Sequence, residues 1–245
     1  MIHRTAIALL FSLFLSPLTT QAFVIYDSFG YFPDATWGGT GIPNDAVAAS
    51  MQIVDGSNTL RVAMSATERY SNPEVSDNGA AIYTAGTGSN FGGAGESSSA
   101  GALWNWNFFI DIAGGGVLTD YQIDLYYDLD PAGPGAFGDL SGLGKFDITA
   151  YLIANSLTSL TTLEDSQNNQ FGFWATDFLP ILDAPSTAFD PNAVGNYQYA
   201  ITVTRSGFPV DTVAMEVNTV VPVPAALWLF GSAIAGLVGV RLKQS

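Results

Sequence analysis

The chain of 245 residues contains no cysteine. A disulfide framework, a thiolate nucleophile and an iron–sulfur site are all excluded, because each of them needs cysteine sulfur. The folded part must therefore be stabilised by packing. A cysteine-free composition fits an exported bacterial protein that dispenses with disulfides.

Histidine occurs once, at His3, in a segment that we predict below to be removed. A Ser-His-Asp triad, a histidine general base and the usual histidine zinc sites are then excluded from the mature protein. Carboxylates, tyrosines, serines and Lys145 remain as possible catalytic groups.

Cations are scarce: 7 Lys and Arg stand against 22 Asp and Glu, for a formal net charge of −15. Three of the cations lie in the terminal segments, so residues 23–221 carry four cations against all 22 acids. The four are Arg61, Arg69, Lys145 and Arg205. Such a body repels a polyphosphate partner. Its acidity is more typical of a soluble surface than of a cation-binding task.

The first 22 residues have the pattern of a secretory signal peptide. A weakly basic start precedes an apolar run at residues 6–15, and the small residues of Thr20-Gln21-Ala22 follow. An N-terminal membrane anchor is the alternative, but a spanning helix needs about twenty apolar residues. We predict cleavage after Ala22, which makes Phe23 the first residue of the mature protein.

The other end of the chain carries a second hydrophobic segment, residues 225–240, without any charge. As a helix it would be roughly 24 Å long, a little short of the ~30 Å hydrocarbon core. Pro222 and Pro224 stop the helix from extending backwards. Arg241 and Lys243 follow it, which by the positive-inside rule places the C-terminus in the cytoplasm and the body outside.

This tail resembles the PEP-CTERM sorting signal, the mark of exosortase substrates. The resemblance covers about the last 25 residues. It rests on Pro222-Val223-Pro224, on Ala-Ala-Leu-Trp-Leu-Phe-Gly-Ser at residues 225–232, on the Gly-rich apolar helix and on the basic end at Arg241 and Lys243. Val223 stands where the family has Glu, which leaves the position of the cut open. An ordinary single-pass anchor that is never processed is the alternative.

The resemblance implies a Gram-negative bacterium that makes exopolysaccharide. It implies processing by signal peptidase and an exosortase, with the tail helix transiently in the inner membrane and the body then released to the cell surface or matrix. We therefore expect a non-enzymatic surface or matrix protein, structural or adhesive, linked to exopolysaccharide or biofilm.

Between the signal peptide (1–22) and the sorting tail (221–245), residues 23–220 are predicted to form one secreted all-β domain. No long run has helical periodicity, whereas several segments alternate apolar and polar residues or are rich in aromatic and β-branched residues. The predicted strands are 51–54, 59–65, 103–112, 121–129, 145–154, 170–174, 197–204 and 212–220. Trp104, Trp106, Phe108 and Ile110 share one strand face, which we expect to be core.

The absence of crossover helices favours antiparallel sheets packed face to face. An antiparallel β-sandwich with jelly-roll-like connections is the predicted architecture, and an up-and-down barrel is the alternative. The Gly-rich segment 86–101 lacks the ending of a phosphate loop and is predicted to be a flexible surface loop. Gly114-Gly115-Gly116 is predicted to be a turn between two strands.

The best candidate for a metal site is a weak calcium site at Asp128, Asp130 and Asp139. Together with Asp124 they surround a turn rich in Pro and Gly, and calcium prefers several oxygens held by a bent loop. The spacing does not follow the helix-loop-helix calcium pattern. A solvated acidic turn is the alternative, and no other cofactor is expected.

Two further functions stay open. Trp37, Trp104, Trp106 and Trp174 could form a platform for sugar rings, so a carbohydrate-binding module is the alternative function, although tryptophans in strands are more often core. Paired carboxylates could hydrolyse a glycosidic bond, but no spacing selects a pair. A secreted carboxylate-dependent glycoside hydrolase is therefore the less favoured alternative, and no catalytic residue is predicted.

Overall fold

The computed structural model describes residues 24–38, 42–43, 45–92, 97–132 and 140–222. The strands are β1 (Ser28–Tyr31), β2 (Val47–Asp55), β3 (Asn58–Glu68), β4 (Ser76–Asp77), β5 (Ile82–Gly86), β6 (Ser89–Asn90), β7 (Gly101–Ala102), β8 (Trp104–Ala113), β9 (Gln122–Tyr127), β10 (Gly144–Asp147), β11 (Thr162–Gln167), β12 (Leu182–Asp183), β13 (Gly195–Thr204) and β14 (Asp211–Val220). The helices are α1 (Ile148–Ala154) and two 3-10 turns, Leu118–Asp120 and Gly172–Ala175. In these ranges no helix is both long and apolar enough to cross a membrane. The predicted signal peptide and tail helix lie outside them.

The strands form two large sheets and one small hairpin. The five-stranded sheet has the order β1-β2-β3-β8-β11, the seven-stranded sheet has the order β12-β10-β9-β13-β14-β5-β4, and β6 pairs with β7. The all-β prediction is confirmed, and the described strand pairs are antiparallel with one exception. The exception is β5, which pairs parallel to β14. Most of the chain separates these two strands, so their parallel pairing needs no crossover helix.

One core lies between the two large sheets. Trp104 and Trp106 of β8 reach across it to Tyr197 and Tyr199 of β13, with ring centroids 5.7 Å and 5.2 Å apart in the pairs Trp104–Tyr197 and Trp106–Tyr199. The predicted core face of β8 is confirmed, since all four of its large side chains are at most 4% exposed. Burial of each such side chain contributes about 1.5–3 kcal/mol to stability.

The outer face of the five-stranded sheet is also covered. Trp37, from the chain between β1 and β2, is fully buried in a small cluster with Ala48, Ala63 and Phe109. Its neighbour Thr36 is tied to Glu164 of β11 through both its backbone N–H (2.8 Å) and its hydroxyl (2.6 Å). Both faces of β8 are therefore buried.

The predicted strand 145–154 is correct only in its first three residues. β10 ends at Asp147, and α1 begins at the next residue. The Asp147 carboxylate accepts a hydrogen bond from the Ala150 N–H at 2.7 Å, which satisfies one of the free donors of the first helical turn. The helix has only seven residues, too few for its periodicity to stand out in the sequence.

The predicted strand 170–174 is wrong. Gly172–Ala175 is a 3-10 turn in which the Trp174 N–H donates to the Phe171 carbonyl at 3.1 Å. The alternation of Phe171 and Phe173 resembles a strand pattern, but in the structure these residues belong to a tight turn.

The described parts of the Gly-rich segment, 86–92 and 97–101, are more ordered than predicted. They contain the end of β5, the strand β6 and the start of β7. The Arg69 guanidinium lies buried beneath them and donates to the carbonyls of Asn90 and Ser99, each at 3.0 Å. Arg69 therefore ties this hairpin to the end of β3, which corrects the prediction of a flexible loop.

The predicted glycine turn follows β8, as expected, and two of its residues have positive φ. Gly114 has φ +106°, and a Cβ there would lie 2.0 Å from the Ser57 carbonyl oxygen, whereas Gly115 has φ +102° and open space around it. We expect Gly115→Ala to lower the free energy of unfolding by about 1 kcal/mol through backbone strain. Gly114→Ala should lower it by about 2–4 kcal/mol, because strain and overlap combine. Urea denaturation followed by tryptophan fluorescence measures both, and equal losses would contradict the close approach to Ser57.

Candidate ligand cleft

A cleft of about 770 Å³ lies beside the core. Volumes of this size are typical of small-molecule sites. Five parts of the chain form its walls: β8 contributes Phe108, β10 contributes Phe146, α1 contributes Tyr151, β11 contributes Leu163, and residues 172–182 contribute the remaining side. The cleft therefore depends on the tertiary fold rather than on one local motif.

Trp174 joins the cleft to the core. It lines the cleft although it is only 4% exposed, and its ring lies 5.2 Å from the ring of Trp106 and 4.7 Å from that of Tyr127. The Tyr127 hydroxyl also donates to the Trp174 carbonyl at 2.6 Å. Burial raises the pKa of Tyr127 far above its usual range, so the hydroxyl keeps its proton and remains a donor. These contacts hold Trp174 in a fixed position.

Two phenylalanines of the cleft are largely exposed. Phe173 is 52% exposed and its ring lies 4.8 Å from that of Trp174, while Phe178 is 66% exposed. Phe178 is positioned by a tight turn, because its carbonyl accepts from the N–H groups of Ile181 and Leu182, both at 2.9 Å. Both rings therefore stand at the cleft on backbone that is hydrogen-bonded in place.

The polar groups of the cleft include Asp165 and Gln167 on β11. The Gln167 amide donates to the Asp165 carboxylate at 2.6 Å, and the Ser166 N–H donates to the same carboxylate at 2.8 Å. Burial raises the pKa of Asp165 above its usual value. Asp177, on the other wall, accepts from the Ala184 N–H at 2.8 Å.

Two buried polar atoms on residues of the cleft have no hydrogen-bond partner within the described part of the chain. They are the indole N–H of Trp174, which is a donor, and the side-chain carbonyl oxygen of Gln167, which is an acceptor. Leaving a buried polar group unpaired costs on the order of 1–3 kcal/mol. Such groups are candidates for contact with a ligand.

The four tryptophans proposed as a sugar platform are all buried, each at most 4% exposed. Trp104 and Trp106 lie in the main core, and Trp37 lies in the small cluster on the outer face. Their interpretation as core residues is confirmed. Only Trp174 among them lines the cleft.

The described residues of the predicted calcium site make different contacts from one another. The Asp128 carboxylate is buried and accepts from the N–H groups of Asp130 (2.9 Å) and Gln198 (3.4 Å), and burial raises its pKa to about 7. Asp124 pairs with Lys145 at 3.1 Å. Within the described ranges no three acidic or histidine side chains are grouped to hold a metal. Asp139 lies outside those ranges, so calcium binding stays a prediction.

Most residues predicted from the two termini lie outside the described ranges. These are Ala22 and Phe23 at the signal cleavage site, and Val223, Pro224, Arg241 and Lys243 in the tail. Pro222 is described and exposed, two residues after the end of β14.

The cleft is not predicted by the sequence patterns described above. A signal was present, because Phe171, Phe173, Trp174 and Phe178 place four aromatic residues within eight positions, together with Gly172 and Pro180. Glycine and proline among aromatic residues are typical of a turn that presents side chains rather than of a strand.

No protein-family model matches the chain, and no curated protein matches it. Among solved structures, the chain matches the crystal structure of the PmoD soluble domain from Methylocystis sp. ATCC 49242 (Rockwell). The two chains are 12% identical, the match covers 69% of this chain and 97% of that one, and the TM-score is 0.28. A similarity this low carries no argument about function.

Proposed function

We propose that this chain is an exported, non-enzymatic protein of the surface or extracellular matrix of a Gram-negative bacterium. In this proposal signal peptidase removes residues 1–22, and an exosortase cuts the chain near Pro222-Val223-Pro224. The tail holds the protein in the inner membrane only until that cut. The released domain then has a structural or adhesive role linked to exopolysaccharide or biofilm.

The observation that carries this proposal is the position of the domain between the two predicted cuts. Ile25, three residues after the predicted signal cleavage site, already pairs with Ala214 of β14 through two backbone hydrogen bonds of 2.7 Å and 3.1 Å. At the other end β14 stops at Val220, and Val221 and Pro222 are exposed. Cuts at the predicted positions would remove no described strand, so the released domain would keep its core.

The proposal also assigns the domain to the jelly-roll-like sandwiches. Support comes from strands β8 to β11: the outer pair, β8 and β11, lies in the five-stranded sheet, while the inner pair, β9 and β10, lies in the seven-stranded sheet. A hairpin folded across two sheets in this way is the kind of connection from which jelly rolls are built.

Processing of the tail is tested in the producing bacterium. We expect the domain in the outer or extracellular fraction, with a new C-terminus near Pro222 that mass spectrometry of the last peptide identifies. In a strain without exosortase the tail should persist and the protein should remain in the membrane fraction. The same location and the same C-terminus in both strains would contradict the proposal.

A matched pair of proline variants sharpens this test. Substituting both Pro222 and Pro224 by alanine removes the residues that set the start of the tail helix, and we expect the uncut protein to accumulate in the membrane. Pro209→Ala changes an exposed proline between β13 and β14, outside the tail, and should be processed as the wild type is. Normal processing of the double variant would show that this motif does not direct the cut.

A further inference from the structure

We infer that the cleft between β10, α1, β11 and residues 172–182 binds an uncharged polysaccharide segment. This inference deepens the proposed function, because it names the class of partner that the exported domain would hold. Three independent features of the cleft lead to it: exposed rings, unpaired polar atoms and the sign of the local charge.

The first feature is a row of aromatic rings at the cleft. The ring of Phe173 lies 4.8 Å from that of Trp174 and 6.1 Å from that of Phe171, so two neighbouring rings support it although more than half of it is exposed. Phe178 adds a second exposed ring on the same cleft. Sugar rings present flat C–H faces, and such faces pack on aromatic rings that are fixed before the ligand arrives.

The second feature is the unpaired donor and acceptor. Both atoms are closed to solvent in the structure, so a ligand hydroxyl that accepts from the Trp174 indole N–H or donates to the Gln167 side-chain carbonyl reaches them only after the side chains around them shift. Gln167 is restrained for this role, because its amide nitrogen is bound to Asp165. A fatty chain fills an apolar cleft but pairs neither atom, so the unpaired atoms favour a ligand rich in hydroxyl groups.

The third feature is charge. Asp165 and Asp177 line the cleft, and no Lys or Arg is among the described residues that do so. Residues 23–221 as a whole carry 22 acids against four cations. A polymer of uronic acids or a sulfated glycan would be repelled both locally and at long range. The ligand class that fits is therefore a neutral glycan.

The test uses the full chain in lipid nanodiscs, so that no detergent competes for the cleft. Titration calorimetry and tryptophan fluorescence measure binding of neutral hexasaccharides with β-1,4, β-1,3 and α-1,4 linkages. An oligogalacturonate of the same length and palmitate are the comparison probes. We expect at least one neutral hexasaccharide to bind and both comparison probes to bind at least tenfold more weakly.

Three variants locate the binding. Phe173→Ala and Phe178→Ala each remove one exposed ring and should weaken binding about tenfold, while the fold tolerates both changes. Phe208→Ala removes a similarly exposed ring, 55% exposed, from the loop between β13 and β14 and should bind like the wild type. Circular dichroism confirms that each variant is folded.

Several outcomes would overturn the inference. No binding of any neutral hexasaccharide at millimolar concentration would do so, as would tighter binding of oligogalacturonate or palmitate. Equal affinity of Phe173→Ala and wild type would also overturn it, because binding would then lie elsewhere. None of these results depends on exosortase, so failure here leaves the processing experiment as a separate test of the proposed function.

Discussion

Trp106→Ala is expected to lower the free energy of unfolding by about 3–5 kcal/mol. The side chain is fully buried, and its ring lies 5.2 Å from the rings of both Trp174 and Tyr199. Its indole N–H donates to Asn169 at 2.8 Å, and Asn169 in turn donates to the Asp128 carbonyl at 2.9 Å. The substitution leaves a cavity between the sheets and an unpaired amide oxygen on Asn169. Denaturant unfolding followed by circular dichroism measures the loss.

Two further variants separate packing from hydrogen bonding at this position. Trp106→Phe keeps an aromatic ring but removes the donor, and it should cost less than the alanine variant. Phe208→Ala removes an exposed ring whose one ring contact within the described ranges is with the Arg205 guanidinium, 4.4 Å away, and should lower the free energy of unfolding by no more than about 1 kcal/mol. A loss below about 1 kcal/mol for Trp106→Ala would show that the contact between the sheets is not as tightly packed as described.

The buried Asp128 carboxyl should make the protein lose stability as the pH rises from about 4 to about 7. Its pKa in the folded protein is about 7, against 3.8 for an unperturbed carboxyl, because burial disfavours the charged form. Below pH 4 both the folded and the unfolded chain hold the proton, and this group has no effect. Between these values the unfolded chain releases the proton first, so ionisation favours unfolding, and above pH 7 the loss is complete.

Asp128→Asn removes this titration. The free energy of unfolding of the variant minus that of the wild type should rise by roughly 4 kcal/mol from pH 4 to pH 8, because the folded and unfolded pKa values of Asp128 differ by about three units. Asp130→Asn leaves the Asp128 carboxyl buried but removes a nearby negative charge that helps to raise its pKa, so this variant should keep most, though not all, of the wild-type pH dependence. Parallel profiles for Asp128→Asn and wild type would show that Asp128 ionises at its ordinary pKa and that water reaches it.

The strands that could be predicted from the sequence are those in which apolar side chains occur at every second position, so that one face of the strand is apolar. β8 and β13 are examples, since each carries large apolar side chains at every second position and turns them towards the core. β11 was not predicted, because an edge strand needs little apolar surface and Thr162–Gln167 contains only one apolar residue, Leu163. The end of β10 could not be placed either, because Asp147 reads equally well as a strand residue and as a helix cap.

The cleft could not be predicted because its parts are distant in sequence and are brought together only by packing. Gln167 lies on an edge strand that the sequence did not reveal, and Tyr151 lies on a helix that was read as a strand. The tryptophans were the obvious aromatic candidates, yet the most exposed rings of the cleft are Phe173 and Phe178. Their exposure follows from turns closed by backbone hydrogen bonds, for which the side-chain pattern carries little information.

β14 occupies an inner position in its sheet, between β13 and β5, and it leads directly into the tail. If the tail is held in the membrane as we propose, a force applied to the domain acts through Val220 and along the axis of this strand. The hydrogen bonds on its two sides then bear the load together in shear, instead of opening one after another as they would at a peeled edge. In that proposed state the domain would be attached at a strand that resists being pulled out of its sheet.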